Sequence, residues 1–228
     1  IHGSIAAIYS AGGGKMTYIE NIFLCLAIPM ILSLFFIKGR SRSYTLFVTI
    51  GMGICLLSAY VNSFFMWLYG VDGTVAAIEI TPVCEELLKL LPLLFYFLIF
   101  EPEPRELPMV AIAIAAGFAT FENACYLTET VRLTSASCWI RGISAGGLHI
   151  LCGILSGFGI SYVFRHRWLS VTGTAGILGA CTGFHGIYNL LITADGGWKT
   201  AGYLFPSVLI LCLFIAKILL PKFTISLK

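Results

Sequence analysis

Residues 75–100 read VAAIEITPVCEELLKLLPLLFYFLIF. A helix rises about 1.5 Å per residue, so roughly 20 apolar residues cross a hydrocarbon core, and this run is long enough. It shows no apolar–polar alternation of a strand. Yet it carries Glu79, Glu85, Glu86 and Lys89. A charge at mid-bilayer costs roughly 2.5–3.5 kcal/mol on insertion scales. A segment that combines spanning length with such residues predicts a membrane helix whose charged side chains face protein rather than lipid.

The rest of the chain agrees. Of its 228 residues, 58% are hydrophobic and 11% are charged, where a soluble domain carries about 25% charged residues. Mean hydropathy is +0.93. Six further apolar runs are of spanning size: Tyr18–Ile37, Tyr44–Tyr69, Pro108–Leu127, Trp139–Phe164, Val171–Thr193 and Tyr203–Leu220. The expected fold is all-α, a bundle of about seven transmembrane helices in a single domain over residues 16–228. Residues 1–15 read as an expression remnant or trimmed tag, with Met16 as the native start. The net charge of +3 is small and scattered, which argues against a nucleic-acid partner. The eight cysteines form no C-x-x-C pair and sit mostly in apolar runs, so neither a disulfide framework nor a zinc knuckle is expected.

Basic residues favour the cytoplasmic side. With the amino terminus outside, the inner segments hold Lys38, Arg40, Arg42, Arg105, Arg165, Arg167, Lys217, Lys222 and Lys228, and the outer ones only Lys15, Arg132, Arg141 and Lys199. In that orientation Glu85 and His149 lie about 15 Å from the outer face, His185 about 12 Å and Glu122 about 8 Å. Four consecutive runs therefore place ionisable residues in one layer, and a shared polar cavity among the third to sixth helices accounts for it. Glu85 and Lys89 are four apart and can pair on one helix face, while Glu86 points about 100° away. His185 and Asn189 share a face for the same reason. Gly153-x-x-x-Gly157 permits close helix approach beside His149.

These residues resemble a known pattern. Glu85-Glu86-Leu87-Leu88-Lys89 is similar to the E-E-x-x-K/R motif of the CAAX-protease and PrsW superfamily of intramembrane glutamate proteases. Phe118-Ala119-Thr120-Phe121-Glu122-Asn123 resembles the F-x-x-x-E-N motif of the PrsW branch, where CAAX prenyl proteases commonly carry His in place of Glu122. His149 in its Gly-rich helix is similar to the third motif, and His185-Gly186-Ile187-Tyr188-Asn189 to the fourth, H-x-x-x-N/D. The resemblance covers roughly Glu79 to Asn189. It implies a PrsW-type glutamic intramembrane peptidase of a bacterial cytoplasmic membrane, acting on a membrane-anchored protein such as an anti-sigma factor, with lipid as its other partner.

Peptide hydrolysis requires an activated water, an oxyanion donor and a proton for the leaving amine. The expected assignment has Glu86 activating water and Glu85, paired to Lys89, organising the site, with the two glutamates exchangeable. Glu122 and His149 would position water or shuttle a proton, His185 and Asn189 would donate to the oxyanion, and Asn123 would support them. Plainer readings stand beside each role: a satisfied helix pair for Glu85–Lys89, interhelical hydrogen bonds for Glu122, Asn123 and Asn62, and polar contacts for the histidines. No cofactor is required, although Glu86, Glu122, His149 and His185 have the chemistry of divalent-metal ligands. The absence of H-E-x-x-H disfavours a zincin. Other readings are a metal-dependent membrane protease, a CAAX-type prenyl-protein endopeptidase, and, in a different class, a proton-coupled transporter or channel built on a buried Glu/Lys/His relay.

Overall fold

The computed structural model describes residues 19–129 and 134–219. All regular elements among them are helical. They are α1 (Ile19–Ser33), α2 (Gly39–Tyr69), a short turn α3 (Gly73–Val75) that continues through a π-helical turn (Ala76–Ile80) into α4 (Thr81–Phe100), then α5 (Leu107–Glu129), α6 (Ser135–Val163), a 3-10 turn (Arg167–Leu169), α7 (Ser170–Thr193) and α8 (Gly197–Leu219). Taking α3, the π turn and α4 as one rod, seven rods result, as expected. Among the described residues, five helices are long and apolar enough to cross a membrane: α2, α5, α6, α7 and α8. The described part of α1 has 15 residues, and α4 is set apart by its charges. The proposed boundary at Met16 lies outside the described residues, as does Leu220.

Rod ends differ from the apolar runs because hydropathy marks where lipid begins, not where hydrogen bonding stops. The α2 helix begins at Gly39, five residues before Tyr44, so Arg40 and Arg42 form its first turn. The Thr134 side chain accepts from the Ser137 amide, and the Ser137 hydroxyl accepts from the Thr134 amide. This capping box starts α6 four residues before Trp139. Likewise α8 begins at Gly197 rather than Tyr203. At the other extreme α1 stops at Ser33, short of Ile37, in a run of turn hydrogen bonds.

The third rod is not uniformly α-helical, and Pro82 supplies the reason. Asp72 caps its start by accepting from the Thr74 and Val75 amides at 2.7 and 3.0 Å. Eight to ten residues later Pro82 has no N–H to give and its ring crowds the carbonyl four residues back, that of Ile78. The helix widens over Ala76–Ile80, and the Thr81 amide reaches back to the Ala76 carbonyl. The Ala77 carbonyl would next look to residue 82, which is proline. It receives instead the Asn189 amide of α7, Nδ2 to O 2.8 Å. In lipid every such group needs a partner from the protein.

The centre of the bundle is α5. Leu107, Val110, Ala113, Ile114, Phe118 and Phe121 are all buried, packed between α2 on one side and α6 on the other. Two reciprocal glycines close the first seam: a Cβ at Gly51 would lie 2.1 Å from the Ile114 carbonyl oxygen, and one at Gly117 would lie 1.9 Å from that of Val48. Gly153 and Gly157 close the second, where a Cβ would meet Ala115 Cβ at 2.8 Å and Pro108 Cα at 2.5 Å. The α6 seam is thus where the Gly-x-x-x-Gly pattern placed a close approach, and it carries His149 one helical turn away against Phe118, ring centroids 5.0 Å apart. Outward faces are apolar, and Phe36, Trp67, Trp139, Trp168 and Trp198 stand exposed near rod ends, as interfacial anchors do.

Candidate functional site

Adjacent glutamates on α4 leave the helix in different directions. Glu85 lines a cavity of about 230 Å³ whose wall also includes Glu122, Arg141, His149, His185 and Asn189. Its Oε2 is buried without a hydrogen-bond partner and lies 3.9 Å from His185 Nε2. Glu86 and Lys89 do not line the cavity. They point between α6 and α7, where Lys89 Nζ donates to Glu86 Oε1 at 2.6 Å and to His149 Nδ1 at 2.9 Å. The ammonium also lies 4.7 Å from the Phe118 ring centre, a favourable placement for a cation.

This corrects the expected pairing of Lys89 with Glu85. Positions three and four apart both share a helix face, so spacing alone does not choose. The choice is made by α6 and α7, whose histidines stand on the Glu86 side. His185 Nδ1 donates to Glu86 Oε1 at 2.8 Å. One carboxylate therefore holds an ammonium and an imidazole together.

Tautomers follow from the donors. Lys89 has only hydrogens to offer, so His149 Nδ1 is an acceptor and its proton sits on Nε2. That nitrogen donates to Glu122 Oε2 at 2.7 Å. The other Glu122 oxygen meets Arg141 Nη2 at 3.2 Å, and the guanidinium lies 3.9 Å from the Tyr126 ring centre. His185, donating from Nδ1, presents an unprotonated Nε2 toward Glu85. The two imidazoles meet edge to face with centroids 5.3 Å apart. A continuous chain thus runs Arg141–Glu122–His149–Lys89–Glu86–His185, and Glu85 stands outside it.

Every residue singled out from the four motifs belongs to these four helices, but not all meet. Asn189 lines the cavity while its Nδ2 is committed to Ala77. Asn123 does not line it; its Nδ2 lies near Gly146, and its Oδ1 is buried without a hydrogen-bond partner. Glu79, in the π-helical turn, is exposed, unlike Glu85, Glu86 and Lys89. Asn62 of α2 lines the cavity. Arg141 was missed, having been counted only as an outer-loop charge. The available signal was its position two turns before His149 in the same helix. Tyr188, which meets Ser144 Oγ at 3.1 Å, was missed because a tyrosine near a span end reads as an interfacial anchor.

The four potential metal ligands divide: Glu122 joins no group, and Glu85, not expected among them, joins the two histidines. Glu85, His149 and His185 offer donor atoms within 4.8 Å of one another, whereas Glu86 groups with Cys152 and Cys181. Two of the cavity donors suit a metal: Glu85 Oε2 is unpartnered, and His185 Nε2 is oriented by the Glu86 bond to its other nitrogen, the usual arrangement behind a metal-bound imidazole. His149 does not fit. Bound through Nε2 it would carry its proton on Nδ1 and need an acceptor there, and Lys89 supplies only donors. The set falls one protein ligand short of the three typical of catalytic zinc.

Residues 40–219 match the family described as PrsW family intramembrane metalloprotease. No curated protein and no solved structure matches the chain. The family match spans far more than half of the sequence and includes Glu85, Glu86, Lys89, Glu122, Arg141, His149, His185 and Asn189, so the chain belongs to the PrsW family and is an integral membrane protein of the peptidase class.

Proposed function

We propose that this chain is an intramembrane endopeptidase in which Glu85 activates the hydrolytic water. One observation carries the reading: Glu85 Oε2 and His185 Nε2, two acceptors 3.9 Å apart beside the cavity, are matched by a single molecule that donates to both, which water does. This reading exchanges the expected roles, in which Glu86 activates water, and what supports the exchange is that Glu86 is occupied by Lys89 and His185. On attack, the water oxygen bonds to the peptide carbonyl carbon and its proton passes to Glu85. Collapse breaks the C–N bond, and Glu85 returns that proton to the leaving nitrogen. The second amide hydrogen of Asn189 serves the oxyanion. Glu122 and Arg141 fix His149, which with Lys89 and Glu86 fixes His185.

The family description names a metal, but the donor chemistry of His149 does not support one in the cavity, and no step here uses it. The substrate is a membrane-anchored protein, such as an anti-sigma factor, cut near the outer face, with the amino terminus outside and the carboxyl terminus in the cytoplasm of a bacterial cell. Incubating the purified protein with single-span membrane peptides and mapping products by mass tests the reading. Products from the parent and none from Glu85→Gln are expected. Cleavage that persists in Glu85→Gln at the parental rate would overturn the assignment. Proton-dependent flux through liposomes, with no peptide cut, would favour a transporter instead.

A further inference from the structure

Behind the cavity, one turn from each histidine, α6 and α7 bring two cysteines together. Cys152 follows His149 by three residues and Cys181 precedes His185 by four. Both are 1% exposed, and neither lines the cavity. Each thiol donates to the other residue's carbonyl, Cys152 Sγ to Cys181 O at 3.8 Å and Cys181 Sγ to Cys152 O at 3.7 Å. Ser156 Oγ lies 3.6 Å from Cys181 Sγ. The two sulfurs and a Glu86 carboxylate oxygen all lie within 4.8 Å of one another.

We infer that Cys152, Cys181 and Glu86 form a binding site for a thiophilic divalent cation such as zinc or cadmium, distinct from the cavity, and that occupancy switches the cavity off. The ligand types are those a soft or borderline cation selects. The geometry is close: ligands on a tetrahedral zinc with Zn–S of about 2.3 Å sit about 3.8 Å apart, so closure needs inward movement of about 1 Å at most. Charge also balances. Glu86 and Lys89 are a neutral pair. A dication that displaces the two thiol protons adds two positive charges and two thiolates, so the buried cluster stays neutral and escapes the cost of an unpaired charge. Thiols are weak donors, so their reciprocal bonds resist that exchange little.

The consequence for the cavity follows from Glu86. Its carboxylate holds His185 Nδ1 at 2.8 Å and Lys89 at 2.6 Å. Coordination to a metal turns the carboxylate toward the two sulfurs while Lys89 stays beside it, and His185 loses the bond that keeps Nε2 unprotonated and aimed at Glu85. The cation acts as an inhibitor, the opposite of a catalytic metal.

The test uses the full chain in detergent with Cys25, Cys138 and Cys212, which are exposed, replaced by serine to lower background. Zinc and cadmium are each titrated under reducing conditions and bound metal is counted after dialysis. One more equivalent is expected than in the same protein carrying Cys152→Ala and Cys181→Ala, and it should persist in Glu85→Gln. A cadmium–thiolate absorption band in the protein that retains both cysteines reports the site without relying on those two alanine substitutions. Equal metal content with and without the cysteine pair, or loss of the equivalent in Glu85→Gln, would overturn the site. Binding is read independently of proteolysis, so failure to find a peptide substrate bears on the proposed function and leaves this measurement intact. If peptides are cut, zinc should inhibit the parent at least tenfold more strongly than the Cys152→Ala/Cys181→Ala variant, and equal inhibition would remove the switch.

Discussion

Glu85 and Glu86 are neighbours in sequence, equally buried at 4% exposure, and opposite in circumstance. Glu86 lies in a closed ion cluster with an ammonium and an imidazole on one oxygen. Glu85 borders a cavity with an oxygen that no protein group satisfies. The difference is one of 100° of helix rotation, and it separates two jobs. A carboxylate locked between a lysine and a histidine is poorly placed to take a proton from water, but it fixes the histidine that faces its neighbour. An unpartnered carboxylate in a low-dielectric cavity contributes little to holding helices together, but it is free to react.

The largest expected effect breaks the comparison on the Glu85 side. Glu85→Gln keeps the shape and removes the base, so cleavage should fall by about 10²–10⁴-fold while thermal unfolding in detergent stays near the parental temperature. Activity within tenfold of the parent would mean that the base lies elsewhere.

On the Glu86 side the expected loss is in stability first. Glu86→Gln leaves the Lys89 ammonium buried with a neutral neighbour, and breaking such a pair costs about 3–5 kcal/mol. Removing both charges, Glu86→Gln with Lys89→Met, should recover most of that because no unpaired ion remains. Activity should not recover, since His185 has lost its orienting carboxylate. Recovery of activity along with stability would show that Glu86 does nothing for His185.

A third substitution asks whether the site depends on how closely its helices approach. Gly153→Ala puts a Cβ 2.8 Å from that of Ala115, so α5 and α6 must separate slightly. Overpacking of this kind costs about 1–3 kcal/mol. Because Glu122 rides on α5 and His149 on α6, their 2.7 Å bond should lengthen, and cleavage should fall with stability. Gly142→Ala, with nothing within 4 Å of the new Cβ, is the matched control and should change neither. An equal effect at both positions would show that helix propensity, not approach, governs.

Much of this was legible in the sequence for one physical reason: ionisable groups are expensive in lipid, so their presence in apolar runs announces a shared interior. That argument found Glu85, Glu86, Lys89, Glu122, His149 and His185 and put them on four helices around one cavity, which Glu86 and Lys89 turn out not to line. It did not decide which way each side chain turns. Lys89 pairs with Glu86 because α6 and α7 bring their histidines to that side, a fact of packing that spacing along α4 does not contain. The Gly51–Gly117 seam was hidden because glycine in an apolar membrane run looks alike whether or not a backbone lies against it. Arg141 was hidden by the same charge rule that gave the orientation, since a basic residue near a helix end is ordinarily spoken for by water or headgroups.

Asn189 is where sequence pattern and structure give different reasons for the same residue. The expected assignment makes it an oxyanion donor; its hydrogen bond goes to the Ala77 carbonyl. The two roles separate in a cycle with Pro82. Asn189→Leu leaves the Ala77 carbonyl unpaired in an apolar surround, which should cost about 1–3 kcal/mol. Pro82→Ala restores an N–H within reach of that carbonyl and relieves the crowding on Ile78, so the rod can return to α geometry and satisfy Ala77 by itself. The pair should therefore be less destabilised than the sum of its single variants, a coupling read from unfolding midpoints. If Asn189 also serves the oxyanion, the double variant regains stability and remains slow, with the loss in kcat. If its only work is to hold the widened turn, stability and cleavage return together. Additive destabilisation, with no coupling to Pro82, would show that the widened turn does not depend on Asn189.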